Sequence, residues 1–235
     1  MNTPNVISIQ VGLPKALGVK GASNPMDRPW TTGFFKTPIA GKIWLGSTNL
    51  QGDGQADLKN HGGVEKAVLA YSAEHYPTWR GSLELPDLPY GAFGENLTIA
   101  DQTEFSVCIG DIYQLGEAQI QVSQPRQPCW KLSRRWRIRD LAIQVQQNGR
   151  TGWYFRVLKE GNIEPNLPLI LNERPYPQWT IALANQIMHQ DKKDQESAAE
   201  LAACPALSSN WQQTLYRRVN KSLNPDSTSR LWGNN

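Results

Sequence analysis

Cysteine is scarce in this chain, and the three residues present, Cys108, Cys129 and Cys204, form no CxxC pair. An odd, scattered set excludes a disulfide framework and implies a reduced, cytosolic setting. Long apolar runs are missing as well: no stretch reaches the roughly 18 residues of a membrane helix. The opening MNTPNVISIQVGLPKALG has neither a basic leading segment nor an apolar core, so it does not read as a signal peptide. The expected location is cytoplasmic, with no membrane partner. An excess of one charge is also lacking. Lys and Arg number 24 against 21 Asp and Glu, a net charge of +3, too weak a bias to argue for nucleic acid as a partner. Histidine is limited to His61, His75 and His189. No HxxxH or carboxylate–His cluster occurs, which argues against a zinc site built from protein alone. Nor is there a GxxxxGK[ST], GxGxxG or GxSxG motif, so P-loop, Rossmann and α/β-hydrolase readings have no support.

Glycine, proline and tryptophan are plentiful, at 19, 16 and 9 residues. Through residue 172 the chain reads as short strands joined by Gly- and Pro-rich turns. Strands are expected over 6–11, 39–45, 67–71, 96–99, 112–115, 118–123, 153–158 and 167–171. Gly116-Glu117 between two of them is the signal of a type II′ hairpin. Gln119, Gln121 and Ser123 alternate with Ile120 and Val122, so one face of that strand is buried. Many short strands favour a barrel or sandwich. Two helices interrupt them, over 72–80 with Ser72 as N-cap, and over 138–148 with Gly149 just past the end. Trp30, Trp44, Trp79, Trp130 and Trp153 either fill the core or line a cleft.

After Glu173 the pattern changes. Pro175 and Pro177 break the chain, and three helices follow. Trp179, Leu183 and Ile187 form one apolar stripe and Trp211, Leu215 and Val219 another, with a helix over 195–203 between them. Ser209 and Gln212 read as a capping box. Arg217, Arg218 and Lys221 fall in the last turn, where they complement the helix dipole and offer a basic surface. The expected organisation is therefore a mainly β body over 1–172 and a small three-helix domain over 173–235.

Four segments carry possible chemistry. In Ser123-Gln-Pro-Arg-Gln-Pro-Cys-Trp-Lys131, two prolines stiffen a loop that ends on Cys129. Arg126 and Lys131 place positive charge nearby, which favours the thiolate, the form that binds soft metals. The same pattern also describes a small buried thiol at a strand end. His61-Gly62-Gly63 lets backbone amides approach a ligand, or is an ordinary turn. Asn96 and Thr98 share a strand face and can hydrogen-bond a pterin or purine. Lys36-Thr37 places a cation and a hydroxyl before a strand, suited to a phosphate or to a solvated edge.

HGG at 61–63, FGENLT at 93–98, GDIYQLGEAQIQVSQPRQPCWKL at 110–132 and TGWYFRVLKEG at 151–161 resemble the MOSC family, named for the C-terminal domain of molybdenum-cofactor sulfurases. The likeness is closest to its bacterial YiiM-type branch, which protects against 6-N-hydroxylaminopurine and carries a C-terminal three-helix domain. The resemblance implies a β-barrel-rich body holding the molybdopterin form of the molybdenum cofactor, with Cys129 as protein ligand to the metal. It places Lys36 and Thr37 at the cofactor phosphate and Asn96 and Thr98 along the pterin. His61, Gly62, Gly63, Arg126 and Lys131 fall near the cofactor. The implied reaction is the two-electron reduction of N–OH to N–H in N-hydroxylated purine bases and similar small compounds. With no flavin or nicotinamide motif present, electrons are expected from a separate flavoprotein reductase. A sulfur carrier using a Cys129 persulfide, or a non-enzymatic pterin- or purine-binding module, are the alternatives. The three-helix tail is expected to stand apart from the metal site.

Overall fold

A computed structural model describes residues 3–221 and 226–233, with the side chain of Lys221 excepted. Among these, the strands are β1 (Asn5–Val11), β2 (Lys15–Leu17), β3 (Trp30–Thr32), β4 (Thr37–Pro38), β5 (Ile43–Leu45), β6 (Val68–Ser72), β7 (Leu97–Ala100), β8 (Ile112–Leu115), β9 (Ala118–Pro125), β10 (Trp153–Lys159), β11 (Gly161–Ile163) and β12 (Ile170–Glu173). The helices are α1 (Tyr76–Ser82), α2 (Trp130–Trp136), α3 (Leu141–Asn148), α4 (Ile181–His189), α5 (Gln195–Ala202), α6 (Ser209–Lys221) and α7 (Thr228–Trp232). No helix among the described residues is long and apolar enough to cross a membrane.

Eight strands form one curled sheet in the order β12-β8-β9-β10-β6-β7-β1-β4. The β6–β7 pair is parallel and every other pair in it antiparallel. The sheet rolls until its two ends approach. The Val6 amide donates to the Leu167 carbonyl at 3.0 Å, and Asn5 bridges to Pro168, just before β12 begins. The hairpin at 116–117 forms as read, with Leu115 opposite Ala118. Gly116 sits at φ +56, and a Cβ there would meet the Asn162 carbonyl oxygen at 2.7 Å, so the turn requires glycine on two counts. Along β9, Ala118, Ile120 and Val122 are buried while Gln119 and Gln121 are half-buried, the alternation of a sheet with one inner face.

Local differences from the sequence reading have physical reasons. The expected strand over 39–45 forms only as β5, at 43–45, because Gly41 at positive φ bends the chain before it, and β4 lies just ahead of the expected range. The helix over 72–80 starts as a 3-10 turn capped by Ser72, whose Oγ accepts from the Glu74 amide at 3.2 Å. Helix α3 starts only at Leu141 and ends at Gly149 in the left-handed conformation. Helix α2 was not legible. Its sequence, WKLSRRW, has no apolar stripe, and it is held instead by Leu132 in the core and by Arg134 over the Trp130 ring, 4.4 Å from the centroid. Of the five body tryptophans, Trp79 and Trp153 are core, Trp44 is exposed, and Trp30 and Trp130 border a surface cleft.

The tail shares the core of the sheet. One continuous cluster joins Val107, Ile109 and Val122 to Trp179, Ile181, Leu201, Trp211 and Leu215. Backbone bonds reinforce it, from Ile109 to Trp179, Ile181 to Val107 and Ser208 to Ser123, each 2.8–2.9 Å. Trp179 lies before α4, whose N-cap is Thr180. The capping box at Ser209 does not form. The Ser209 amide and hydroxyl both turn to the Glu65 carboxylate of the body, and Gln212 donates to the Cys204 carbonyl. Arg218 does not face solvent. It is 1% exposed, and its two terminal nitrogens donate to the Ile187 and Met188 carbonyls at the end of α4. Arg217 is exposed, and the side chain of Lys221 lies outside the described residues.

Candidate functional site

Strand β9 delivers the stiff loop to the site. The Arg126 amide continues the ladder by donating to the Gly152 carbonyl at 3.0 Å, and three residues later Cys129 opens α2. Opposite stands the loop at 57–66, tied by Asp57, which accepts from the Lys59 and Asn60 amides. Gly62 and Gly63 both have positive φ, which turns the loop toward Cys129 without a Cβ to accommodate. At Gly62 a Cβ would press on the Gln55 side chain at 2.8 Å.

Two cavities meet at Cys129. An inner one of about 80 Å³ is lined by Lys36, Asp53, Asn96, Arg126 and residues of the loop at 32–34. An outer cleft of about 580 Å³ is lined by Gly63, Trp130, Gln127, Asn210 and Arg230 among others. His61, Gly62, Lys66, Cys129, Lys131 and Tyr154 border both. The inner wall depends on close backbone approach: a Cβ at Gly33 would lie 2.5 Å from the Gly54 carbonyl oxygen.

The thiol of Cys129 is 7% exposed. Burial pushes it up, but a hydrogen bond from His61, the charges of His61 and Arg126 and the Lys131 amide outweigh burial and bring it to about 7. At Cys108 and Cys204 burial prevails and pushes the thiols up, outweighing Arg174 at the first and the Ala206 and Leu207 amides and Arg156 at the second. Arg126 is buried. One terminal nitrogen donates to the Phe93 carbonyl at 3.2 Å, and the other has no partner among the described residues. Burial raises the Tyr154 phenol to about 12, so it keeps its proton at neutral pH.

Eight of the ten residues expected at the site therefore border these two spaces: Lys36, His61, Gly62, Gly63, Asn96, Arg126, Cys129 and Lys131. Two do not. Thr37 is exposed in β4, paired with Val11, because neighbours along an extended chain face opposite sides and Lys36 takes the inner one. Thr98 is fully buried, donating to Glu95 and accepting from Gln10. Lys36 itself is not a free cation. It is ion-paired with Asp53, which also accepts from the Gly12 amide and the Asn96 side chain, each at 2.9 Å. Asp53, Lys66 and Tyr154 escaped the sequence reading. Asp53 lies in GDG, where an acidic residue between glycines reads as a turn, and Tyr154 reads as a core strand residue. Arg230 also escaped, for lack of any local motif, and it corrects the expectation that the tail stands apart. Arg230, Ser229 and Asn210 all border the cleft.

No group of three or more His, Cys, Asp or Glu side chains able to hold a metal occurs among the described residues. Cys129 alone offers a soft ligand, so a metal here must arrive with ligands of its own. The surrounding groups suit an anionic carrier: the orphaned Arg126 nitrogen, Lys66 and Lys131, with Gly62 and Gly63 exposing backbone. The inner cavity is too small for a pterin by itself. Joined to the cleft, it falls in the roughly 300–1,000 Å³ range of cofactor sites. The residues present fit a molybdopterin-borne metal.

Residues 57–169 match the MOSC domain family, and residues 179–222 match the YiiM-like, 3-alpha helix domain family. The chain is 42% identical to the uncharacterized protein YflK of Bacillus subtilis, across 93% of this chain and 96% of that protein. It is 37% identical to protein YiiM of Escherichia coli, across 84% and 89% of the two chains. A protein of Gibberella moniliformis named "Reductase" is 38% identical over 74% of this chain, which spans only 32% of that longer protein. Among solved structures, YiiM from Geobacillus stearothermophilus superposes with a TM-score of 0.76 at 38% identity, covering 92% of this chain and 99% of that one.

Proposed function

Since this chain belongs to the MOSC family, in its YiiM-type branch, we propose that it is an oxidoreductase that holds the molybdopterin form of the molybdenum cofactor through Cys129. Its reaction is the reduction of N-hydroxylated compounds, N-hydroxylated purine bases among them. The observation that carries this reading is the setting of Cys129: a buried thiol, brought to about 7, at the junction of two cavities beside an orphaned arginine nitrogen. The name of the fungal relative supports a redox role.

The overall change is R₂N–OH + 2 e⁻ + 2 H⁺ → R₂N–H + H₂O. The N–O bond breaks, the oxygen leaves as water and an N–H bond forms. When bound, the cofactor supplies the two-electron oxygen-abstracting chemistry, and a separate flavoprotein reductase supplies the electrons. The protein's own residues do the rest. Cys129 offers a thiolate ligand, and Arg126 and His61 hold it in that form. Lys66 and Lys131 hold the anionic parts of the cofactor. Tyr154, Lys66 and Lys131 border the wall that the two cavities share, where their polar groups would face a bound substrate. The Lys36–Asp53 pair and Asn96 fix the inner wall of the site, which would line the pterin.

A persulfide carrier is disfavoured by the same geometry, because a thiol 7% exposed at the head of a cleft cannot be passed readily between protein surfaces. The test is metal analysis on protein made with cofactor synthesis intact, followed by reduction of 6-N-hydroxylaminopurine with a chemical electron donor. Stoichiometric molybdenum and turnover that vanish together in Cys129→Ser are expected. Turnover retained by that variant would defeat the reading.

A further inference from the structure

A third cavity, of about 140 Å³, opens in the tail beside the cleft. The two share Gln127, Asn210 and Arg230. The remaining walls come from the tail, with His189, Lys192, Thr214 and Arg218 among them, and one carboxylate, Asp226. Three permanent cations thus face a single acid, and that acid is already engaged by the Thr228 amide at 2.8 Å. Lys192, Arg218 and Arg230 are in none of the ion pairs found among the described residues.

Arg218 is the telling member. Its terminal nitrogens are taken by carbonyls, but among the described residues its buried Nε has no partner, and neither has Nε2 of His189. Arg218 is buried, Arg230 is half-buried and Lys192 is exposed, so the cavity joins a spare interior donor to two cations that an entering anion can reach. His189 reports the same potential. Burial first, then the charges of Arg230, Lys192 and Arg218, depress its pKa to about 3. A space of about 140 Å³ holds a phosphate-sized group, since one water occupies about 30 Å³ in the liquid. A free purine base standing against Cys129 would leave the Arg218 Nε and the Lys192 ammonium without an anion.

We propose that this tail cavity receives the phosphate of the substrate, so that the preferred substrates are N-hydroxylated nucleotides, with the base in the cleft at Cys129 and the phosphate among Arg230, Arg218 and Lys192. This rests on reading Cys129 as the reductive centre. The cofactor's own phosphate does not need the tail, because Lys66 and Lys131 stand nearer the thiol, on the wall that Cys129 shares.

The test compares three substrates on the cofactor-loaded full chain: 6-N-hydroxylaminopurine, its ribonucleoside and its 5′-monophosphate. A charge-assisted phosphate contact predicts a kcat/KM about tenfold or more higher for the monophosphate than for the base, with the nucleoside no better than the base. Inorganic phosphate competes with the monophosphate and not with the base. Thr214→Glu, which sets a carboxylate in the cavity wall without removing the Arg218 contacts, abolishes the preference while molybdenum content holds. Calorimetric binding of unreactive adenosine 5′-monophosphate gives a readout independent of turnover. Binding tighter than that of adenosine, and lost in Thr214→Glu, upholds the phosphate site even if no N–OH compound is reduced, in which case the reductase reading alone fails. Equal binding of nucleotide and nucleoside, or a base reduced as well as its monophosphate, overturns the proposal and leaves the reductase reading standing. Loss of molybdenum from Thr214→Glu also overturns it, since the cavity would then serve the cofactor.

Discussion

The guanidinium of Arg230 donates to the carbonyl of Pro128, the residue immediately before Cys129, and its second terminal nitrogen donates to the Gln146 side chain at 2.6 Å. A residue near the far end of the chain thereby holds the loop that presents the thiol. Trp232 adds to the contact, with Arg139 5.5 Å from its ring centroid. The tail is a wall of the site as well as a cover for the sheet.

Removing the whole tail and removing only the Arg230 contact should therefore differ. A chain ending at Asn172 loses the partners of Val107, Ile109 and Val122 in the shared core. It is expected to aggregate, as contiguous apolar surface becomes exposed. Arg230→Gln keeps the core and loses a charge-assisted bond to a carbonyl, at a cost of about 1–3 kcal/mol. Urea denaturation should find it folded but weakened, with cofactor-free Cys129 more open to alkylation. A stable, monomeric chain ending at Asn172 would show that the shared core is dispensable.

In cofactor-free protein, Cys129 should alkylate with a rate that rises through about pH 7, the point where its thiolate forms. The sign follows from a lowered pKa: the reactive form is present above about 7 and disappears below it. Cys108 and Cys204, pushed up by burial, should stay inert through neutral pH. Arg126→Gln should move the Cys129 inflection upward. Mass-spectrometric mapping of the labelled cysteine across pH reads all three, and an inflection that ignores Arg126 would contradict the electrostatic account.

Lys36→Ala should weaken the fold before it weakens cofactor retention. It leaves the Asp53 carboxylate buried without its cation, which typically costs about 3–5 kcal/mol. Lys36→Met with Asp53→Asn removes both charges and should recover most of that loss. Thermal melts of the single and double variants in cofactor-free protein measure it. A single variant as stable as the parent would mean that the pair is not held in solution.

Acid should destabilise the protein partly through His189. Its folded pKa of about 3 lies below the ordinary 6.5, so between those values the unfolded chain binds a proton that the folded one excludes. Stability is then complete above about 6.5 and declines as the pH falls toward 3. His189→Phe should lose less stability than the parent between about pH 7.5 and 5 in urea melts. Parallel losses would assign the acid sensitivity elsewhere.

The barrel-like body, the hairpin at 116–117 and the helical tail were legible because each has a local signature: alternation, a Gly-led turn, stripes of tryptophan and leucine. The cavity-bordering residues close to a motif were legible for the same reason, Cys129 after two prolines and His61 before two glycines. What escaped depends on contacts distant in sequence. Asp53 gains its role only by meeting Lys36 and Asn96. Ser209 looked like half of a capping box, yet Glu65, 144 positions away, takes both its donors. Thr37 and Thr98 sit beside residues that border the cavities, and sequence proximity gave no warning that the strand pleat and a buried hydrogen bond turn them away. Arg218 had the composition of a basic surface, and only packing against α4 reveals it as an interior group.

The seam between Asn5–Val6 and residues 166–168 has a consequence for synthesis. As the chain leaves the ribosome, β1 meets β4 first, through Gln10 and Val11, and then β7 at about the hundredth residue. The Asn5–Val6 end of the edge that β4 leaves uncovered stays open until some seventy more residues have emerged. During that interval an unpaired strand edge is available to neighbouring chains, and the hydrophobic face that later meets α4 to α6 is bare for longer still. Non-local closure of this kind is slow and prone to aggregation. Slower translation or lower growth temperature should therefore act on the yield of this protein through the lifetime of that open edge, whatever the final stability of the folded chain.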